Sequence, residues 1–344
     1  MRILCIEASL NHHETLLSFI PIARAHNVRL LVAAPLAMRA LYESLQEVES
    51  FIALPSTAEA LLAQAKAQEV EALFHNTAYG RLSLDIALQA RTLPQFGIIH
   101  NTVKLCRPSY MGWRMAARMK AFFVLREKLR RNLPFFWRKK AYTLYLHSLP
   151  HSFWEQIPSI QKPPQQRWFA IPGRIEYKRR AYEDLIHALA VYRPPPEWRF
   201  LLLGPAHAPY SDWKILKTQL IRYNLLEHFV HFPEGLSFPA YHAYLRLCEA
   251  VLPLIHPSTP YFKSYLKYQI TGAFSSAFIH RKPLLLHTAF ADEEDLRDAS
   301  LFYSTPRDLL SRLESLPSQS SLYQKPFWSD NSEELGQILH HLRR

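Results

Sequence analysis

The sequence predicts two α/β domains in series, each a parallel sheet joined by crossover helices, and three observations predict it. Short apolar, β-rich runs alternate with stretches whose apolar residues recur at three and four. The chain has 344 residues, more than one hydrophobic core usually serves. A Pro/Gln-rich stretch at 157–166 interrupts the alternation near the middle. Domains are therefore expected at 1–160 and 165–328, with a closing helix at 329–344.

In the first domain, strand-like runs fall at 2–7, 28–33, 51–54, 72–74 and 96–99, and helical spacing recurs at 13–25, 36–45, 58–68 and 82–91. A further strand at 142–146 leads through 151–156 to the boundary. The second domain repeats the logic with strands at 167–171, 199–203, 229–232, 250–254 and 283–287. Between and after them come helices at 182–191, 212–223, 239–247, 272–280 and 307–316. At the end Asp330 and Glu333 read as a helix start, and Leu335, Ile338, Leu339 and Leu342 share one stripe. Arg343 and Arg344 complement the negative end of that helix, worth roughly 0.3–1 kcal/mol.

Composition narrows the function classes. Apolar residues make up 49% of the chain and aromatics run from Phe19 to Trp328, so both halves can bury enough surface to offset ordering entropy. No apolar run approaches the roughly 18–20 residues of a membrane span. Met1-Arg2 leads straight into Ile3-Leu4-Cys5-Ile6, without the three regions of a signal peptide, and a cytoplasmic protein is expected. Cys5, Cys106 and Cys248 are odd in number and far apart, which suits reduced thiols.

The net charge of +12 is concentrated: residues 104–140 hold twelve Lys or Arg against one acid, Glu127. Aromatic and methionine side chains interleave them, and Met115, Met119, Phe122, Leu129 and Leu133 form a helical stripe that Arg126 interrupts. Three readings are open: an anionic lipid surface met peripherally at the inner face of the cell membrane, a polyanionic acceptor or nucleic acid, and a solvated helical hairpin.

Glycine placement is the sharpest signal. Of eight glycines, Gly173, Gly204 and Gly235 each follow a strand-like run and Gly272 opens a helix-like one. Carboxyl ends of strands form the ligand crevice of an open parallel sheet, and glycine lets backbone N–H groups approach a phosphate. Arg174 and Lys178 follow Gly173 four residues apart. Such cations can stabilise the charge that grows on a departing diphosphate, Arg as a fork and Lys as a point charge.

The run from Phe169 to Leu316 resembles the donor-binding domain of the retaining GT-B group known as family 4 glycosyltransferases. Gly173, Arg174 and Lys178 fit its Gly-Arg with a following Lys, and Leu201-Leu202-Leu203-Gly204 its next strand. Val230-His231-Phe232-Pro233-Glu234-Gly235 looks like the turn that borders the base, Arg281-Lys282-Pro283 like a later strand entry, and Ser304 to Leu310 like the helix start beyond it. The resemblance implies a GT-B fold: two Rossmann-like domains facing a cleft, with the C-terminal helix closing back on the N-terminal domain. The family's two glutamates, eight positions apart, fall on Tyr268 and Ser276, neither of them an acid. Ser276 could still meet a ribose hydroxyl, and the N–H groups around Thr271, Gly272, Ala273 and Phe274 a phosphate. His100, ending the run Phe96-Gly97-Ile98-Ile99, is similar in setting to a family histidine that faces the donor sugar. Asn101 follows it, His75-Asn76 is its rival, and Asn11, His12 and His13 stand where the family often carries glycines.

No metal-binding motif is present, and Asp292-Glu293-Glu294-Asp295 reads better as a helix start than as a Mg²⁺ site. The expected function is metal-independent, retaining transfer of a hexose-type sugar from a nucleotide diphosphate sugar to a glycan or lipid-linked acceptor, in cell-surface polysaccharide or glycoconjugate synthesis. No cofactor and no nucleic-acid partner is expected. The rivals are an inactive GT-B binding or scaffold subunit and a nucleic-acid-binding protein that uses residues 104–140.

Overall fold

A computed structural model describes residues 1–344 apart from 11, 108, 317–320, 326–331 and 344, and apart from the side chains of 332, 334 and 340–343. The chain divides into two compact units. The first comprises residues 1–155, the segment 267–270 and the C-terminal helix; the second comprises 156–266 and 271–325.

Unit 1 is built on β1 (Arg2–Ile6), β2 (Arg29–Ala34), β3 (Val48–Ala53), β4 (Ala72–His75), β5 (Gln95–Ile98), β6 (Ala121–Val124) and β7 (Ala141–Thr143). All pairings are parallel, in the order β3-β2-β1-β4-β5-β6-β7. Ile3, Leu4, Cys5 and Ile6 are all buried, because helices cover both faces of a sheet of this kind and leave no polar alternation. Helix His13–Ala25 carries the chain from β1 to β2, and Ala58–Ala67 starts where Thr57 accepts the Ala60 N–H at 3.3 Å. The C-terminal helix Ser332–Arg343 packs on His13–Ala25, with Leu335, Ile338 and Leu339 buried.

Residues 104–140 do not form a helical hairpin. Their middle is β6, whose Ala121-Phe122-Phe123-Val124 is buried between β5 and β7. A short helix precedes it (Tyr110–Arg118) and helical turns follow (Glu127–Arg131, Phe135–Arg138). Four apolar residues paired on both edges outweigh a helical stripe that a cation already broke. That cation, Arg126, is wholly buried.

Unit 2 repeats the plan with β8 (Arg167–Ile171), β9 (Trp198–Pro205), β10 (Phe229–Phe232), β11 (Ala250–Val251), β12 (Leu284–His287) and β13 (Ser300–Tyr303), parallel in the order β10-β9-β8-β11-β12-β13. Its core gathers Phe169, Trp198, Phe200, Leu202 and Leu285 from the strands with Leu185, Leu189 and Leu216 from the helices. Burying each such side chain contributes about 1.5–3 kcal/mol. In both sheets the strand order reverses once, beside β1 and β4 and beside β8 and β11. Loops diverge at such a point and leave a crevice at the carboxyl ends. Among the described residues no helix is long and apolar enough to cross a membrane.

Candidate active site

In unit 2 the three strand ends β8, β9 and β10 converge on glycines. A Cβ on Gly204 would lie 2.2 Å from the Gly173 carbonyl oxygen, and one on Gly235 3.2 Å from Pro205 Cβ. Gly173 and Gly235 have φ of 86° and 85°, backbone that only glycine adopts without strain. Beyond β8, Glu176 is buried and draws three cations: Arg179 at 2.6 Å, Lys178 at 3.6 Å and Arg174 at 3.7 Å. One carboxylate cannot neutralise three cations. Arg174 and Lys178 stay about half exposed, and Arg174 lies 4.4 Å from the centre of the Tyr210 ring.

Arg180 holds this crevice together. Buried, it donates from Nη1 to the Pro253 carbonyl at 2.5 Å, from Nε to the Arg174 carbonyl at 3.2 Å and from Nη2 to the Pro172 carbonyl. It therefore ties the loop after β8 to the loop after β11 at the point where the strand order reverses. Phe232 packs against Tyr244 at 4.8 Å and Glu234 is exposed on the turn after β10. Helix Gly272–His280 starts at Thr271, whose hydroxyl accepts the Ala273 N–H at 3.4 Å, with Gly272 exposed and Ala273 buried. The Ser276 hydroxyl is engaged internally, donating to the Gly272 carbonyl at 2.9 Å and meeting the Tyr241 hydroxyl at 2.7 Å.

Unit 1 gathers its polar groups beside β1 and β4. Glu7, one residue past β1, is wholly buried; the Asn76 amide donates to it, as do the Ser9 N–H at 2.7 Å and the Thr77 hydroxyl at 3.3 Å. Burial raises its pKa against the lowering effect of those donors. Asn76 also donates to the His12 carbonyl at 2.8 Å, and its own carbonyl accepts from His100 Nε2 at 2.7 Å. The carbonyl can only accept, so Nε2 carries the proton and Nδ1 the lone pair. His12 stacks on His100 with ring centres 4.0 Å apart. Burial brings His12 down to about 4 and His100 to about 3, with His13 adding to the shift of His12 and His12 to that of His100, so both rings are neutral at neutral pH. Together with Tyr79, Ile99, Asn101 and Lys104 they line a pocket of about 150 Å³. The Lys104 ammonium lies 4.5 Å from the centre of the Tyr79 ring.

Of the residues singled out from sequence, His12, His100 and Asn101 come together at this pocket, and Gly173, Arg174, Lys178 and Gly204 come together beyond β8. His75 is corrected: it faces the sheet interior, wholly buried, with Nε2 on Gln95 Oε1 at 3.1 Å, out of reach of an acceptor. Asn11 lies outside the described residues. Sequence reasoning passed over Glu7, Glu176 and Arg180, and named Asn76 only beside His75 as the rival of His100. An acid ending the apolar run Ile3–Ile6 was a readable signal for the first; nothing local marked the others.

No known family's profile and no curated protein matches this chain. Solved structures do. HepE of Anabaena, in complex with UDP, superposes with a TM-score of 0.63 at 14% identity, covering 99% of this chain and 100% of that one. Sucrose-phosphate synthase from Thermosynechococcus elongatus gives 0.61 at 13%, covering 99% of each. UDP-GlcNAc 2-epimerase from Methanocaldococcus jannaschii gives 0.59 at 11%, covering 99% and 100%. Two six-stranded-or-larger parallel sheets of this strand order, matched over the full length of such enzymes, decide the architecture. The fold is GT-B. At these identities the likeness speaks for the fold alone, and transferases and an epimerase share it, so the reaction must be argued from the side chains.

The buried imidazoles give this GT-B chain a pH signature. Burial holds His75 at about 4, with His12 at about 4 and His100 at about 3, against an ordinary 6.5. A folded pKa below the unfolded one means stability that is present above pH 6.5 and lost as pH falls through about 4. Glu14, pushed up to about 7 by burial, opposes this: its contribution is present at low pH and lost as pH rises through 7. Glu7, also raised by burial, opposes it in the same sense, while burial holds His280 at about 3 as well. Four imidazoles outweigh two carboxyls, so the thermal midpoint is expected to fall between pH 6.5 and 4, and His75→Gln to make that fall shallower. A midpoint that holds or rises on acidification contradicts this assignment.

Proposed function

We propose that this chain is a glycosyltransferase that moves a hexose from a nucleoside diphosphate sugar to an acceptor hydroxyl. The observation that carries the reading is the group of cations around Glu176: Arg174 and Lys178 remain half exposed at the carboxyl edge of the sheet, beside strand ends kept bare by Gly173, Gly204 and Gly235. As the bond to the diphosphate breaks, charge grows on its terminal phosphate. Two fixed cations stabilise it there without a metal ion, and with the start of helix Gly272–His280 they make a site for an anion. The UDP bound by the HepE structure supports the choice of nucleotide. On the acceptor side, neutral His100 offers the lone pair of Nδ1 to a hydroxyl proton while Asn76 holds its other nitrogen. Glu7 and Asn76 act as positioning residues for that imidazole.

The family resemblance of residues 169–316 supports retention at the anomeric carbon, which the anomer of the isolated product would reveal, and a glycan or lipid-linked acceptor of cell-surface synthesis. Thermal unfolding with UDP, GDP, dTDP and CMP tests the donor reading first. A nucleotide at about a hundred times its Kd adds ~2.7 kcal/mol, which moves the midpoint of a unit this size by several degrees. UDP is expected to give the largest shift, with EDTA making no difference. Silence with every nucleotide would defeat the proposal.

A further inference from the structure

Outside both polar clusters, unit 1 exposes an aromatic and cationic face that neither the donor nor the acceptor reading uses. Tyr110, Phe135, Phe136 and Trp113 are 72%, 69%, 52% and 38% exposed. Trp113 of helix Tyr110–Arg118 meets Phe136 of the turn Phe135–Arg138 at 5.7 Å, so the two elements make one continuous patch. Around it Arg107, Arg114, Lys120, Arg138 and Lys139 are exposed. The one carboxylate of residues 104–140, Glu127, is half-buried and paired with Arg130 and Arg131 at 3.4 and 3.3 Å. A contiguous aromatic patch rimmed by one sign of charge marks an interaction surface.

The ring geometry chooses among polyanions. A single-stranded nucleic acid needs open ring faces on which bases stack. Here Arg114 lies 4.9 Å from the Tyr110 ring centre and Lys139 4.6 Å from that of Phe135, each over the face, while Trp113 packs edge-on against Phe136 and Trp137. One face of Tyr110 and one of Phe135 are thus already covered by cations, which sets ammonium and guanidinium groups directly beside the exposed rings. That suits the boundary between headgroups and acyl chains, where aromatic bodies enter the apolar layer and cations stay with the phosphates.

We propose that the face formed by helix Tyr110–Arg118 and the turn Phe135–Arg138 docks the protein on an anionic lipid surface. The same helix supplies Gly112 to the wall of the His12–His100 pocket. Resting on the acceptor reading above, the hydroxyl that enters the pocket then belongs to an amphiphile held in that surface.

The full chain is to be sedimented with vesicles of phosphatidylcholine alone and of equal parts phosphatidylcholine and phosphatidylglycerol. It is expected to pellet with the second and not the first. Arg114→Gln with Lys139→Gln should weaken that binding roughly thirtyfold, at about 1 kcal/mol for each cation near the surface. Phe135→Ser with Phe136→Ser should weaken it on the anionic vesicles as well, and the charge pair of variants serves if the serine pair fails to fold. Equal binding to both vesicles, no binding to either, or capture of a single-stranded oligonucleotide in preference to anionic vesicles overturns the proposal. Vesicle binding without any nucleotide-induced rise in the thermal midpoint leaves docking intact and removes the transfer reading, so the two fail separately.

Discussion

Arg174→Ala is expected to lower turnover by about 10²–10³-fold, the usual loss when one fixed donor to developing charge is removed. Arg174 is half exposed, and the carboxylate it meets among the described residues, Glu176 at 3.7 Å, is distant and shared with two other cations. Its removal therefore leaves folding almost untouched, because half-exposed ion pairs contribute little. The comparison is turnover against the thermal midpoint in one protein. Lys178→Ala should act in the same direction, and the double variant less than additively, since both cations serve one group and lean on one carboxylate. Turnover within a fewfold of the parent would remove Arg174 from the diphosphate site.

Gly204→Ala should be the most damaging single methyl group in unit 2. The added carbon would stand 2.2 Å from the Gly173 oxygen, 2.8 Å from its carbonyl carbon and 3.3 Å from Arg174 Cα. All three are backbone atoms, so no side chain can swing away and the ends of β8 and β9 must part. Forcing extra volume into packed structure costs about 1–3 kcal/mol, and a purely backbone clash belongs at the upper end. The thermal midpoint should drop by several degrees, and the UDP-induced shift should shrink because Arg174 moves with Gly173. Gly235→Ala is the comparison: its Cβ meets the Pro205 ring no closer than 3.2 Å, a contact that a shift of a few tenths of an ångström relieves, so its cost lies mainly in φ, roughly 1–2 kcal/mol. Equal midpoints for the two variants would contradict the account.

Strands and helices were legible where length and context agreed. Runs 167–171, 229–232 and 272–280 coincide with β8, β10 and helix Gly272–His280, each apolar and ended by Gly, Pro or a cap. β13 went unread because four residues with half-exposed Leu301 and Phe302 carry no period. β6 was hidden by the cations flanking it. The strand expected at 250–254 stops at Val251: Pro253 lacks a backbone donor and Leu254 turns to a φ of 51°. The grouping of Gly173, Arg174 and Lys178 beyond β8 was legible because they are neighbours in sequence. The cluster in unit 1 was legible only in part: His12, His100 and Asn101 stood out, but Glu7 and Asn76 join them only after β4 is laid between β1 and β5, and one sequence does not declare those pairings. Arg180 binds carbonyl groups, which every residue has, so its partners leave no trace in the letters. Ser276 illustrates the converse: its hydroxyl turns back to Gly272 along its own helix.

The helix Ser332–Arg343 belongs to the unit that the first residues begin. During translation every strand of both sheets has left the ribosome before Leu335, Ile338 and Leu339 arrive to cover helix His13–Ala25. The unit whose sheet comes first along the chain is therefore sealed after the other's, and until that helix emerges it offers an uncovered apolar stripe to chaperones and to other nascent chains.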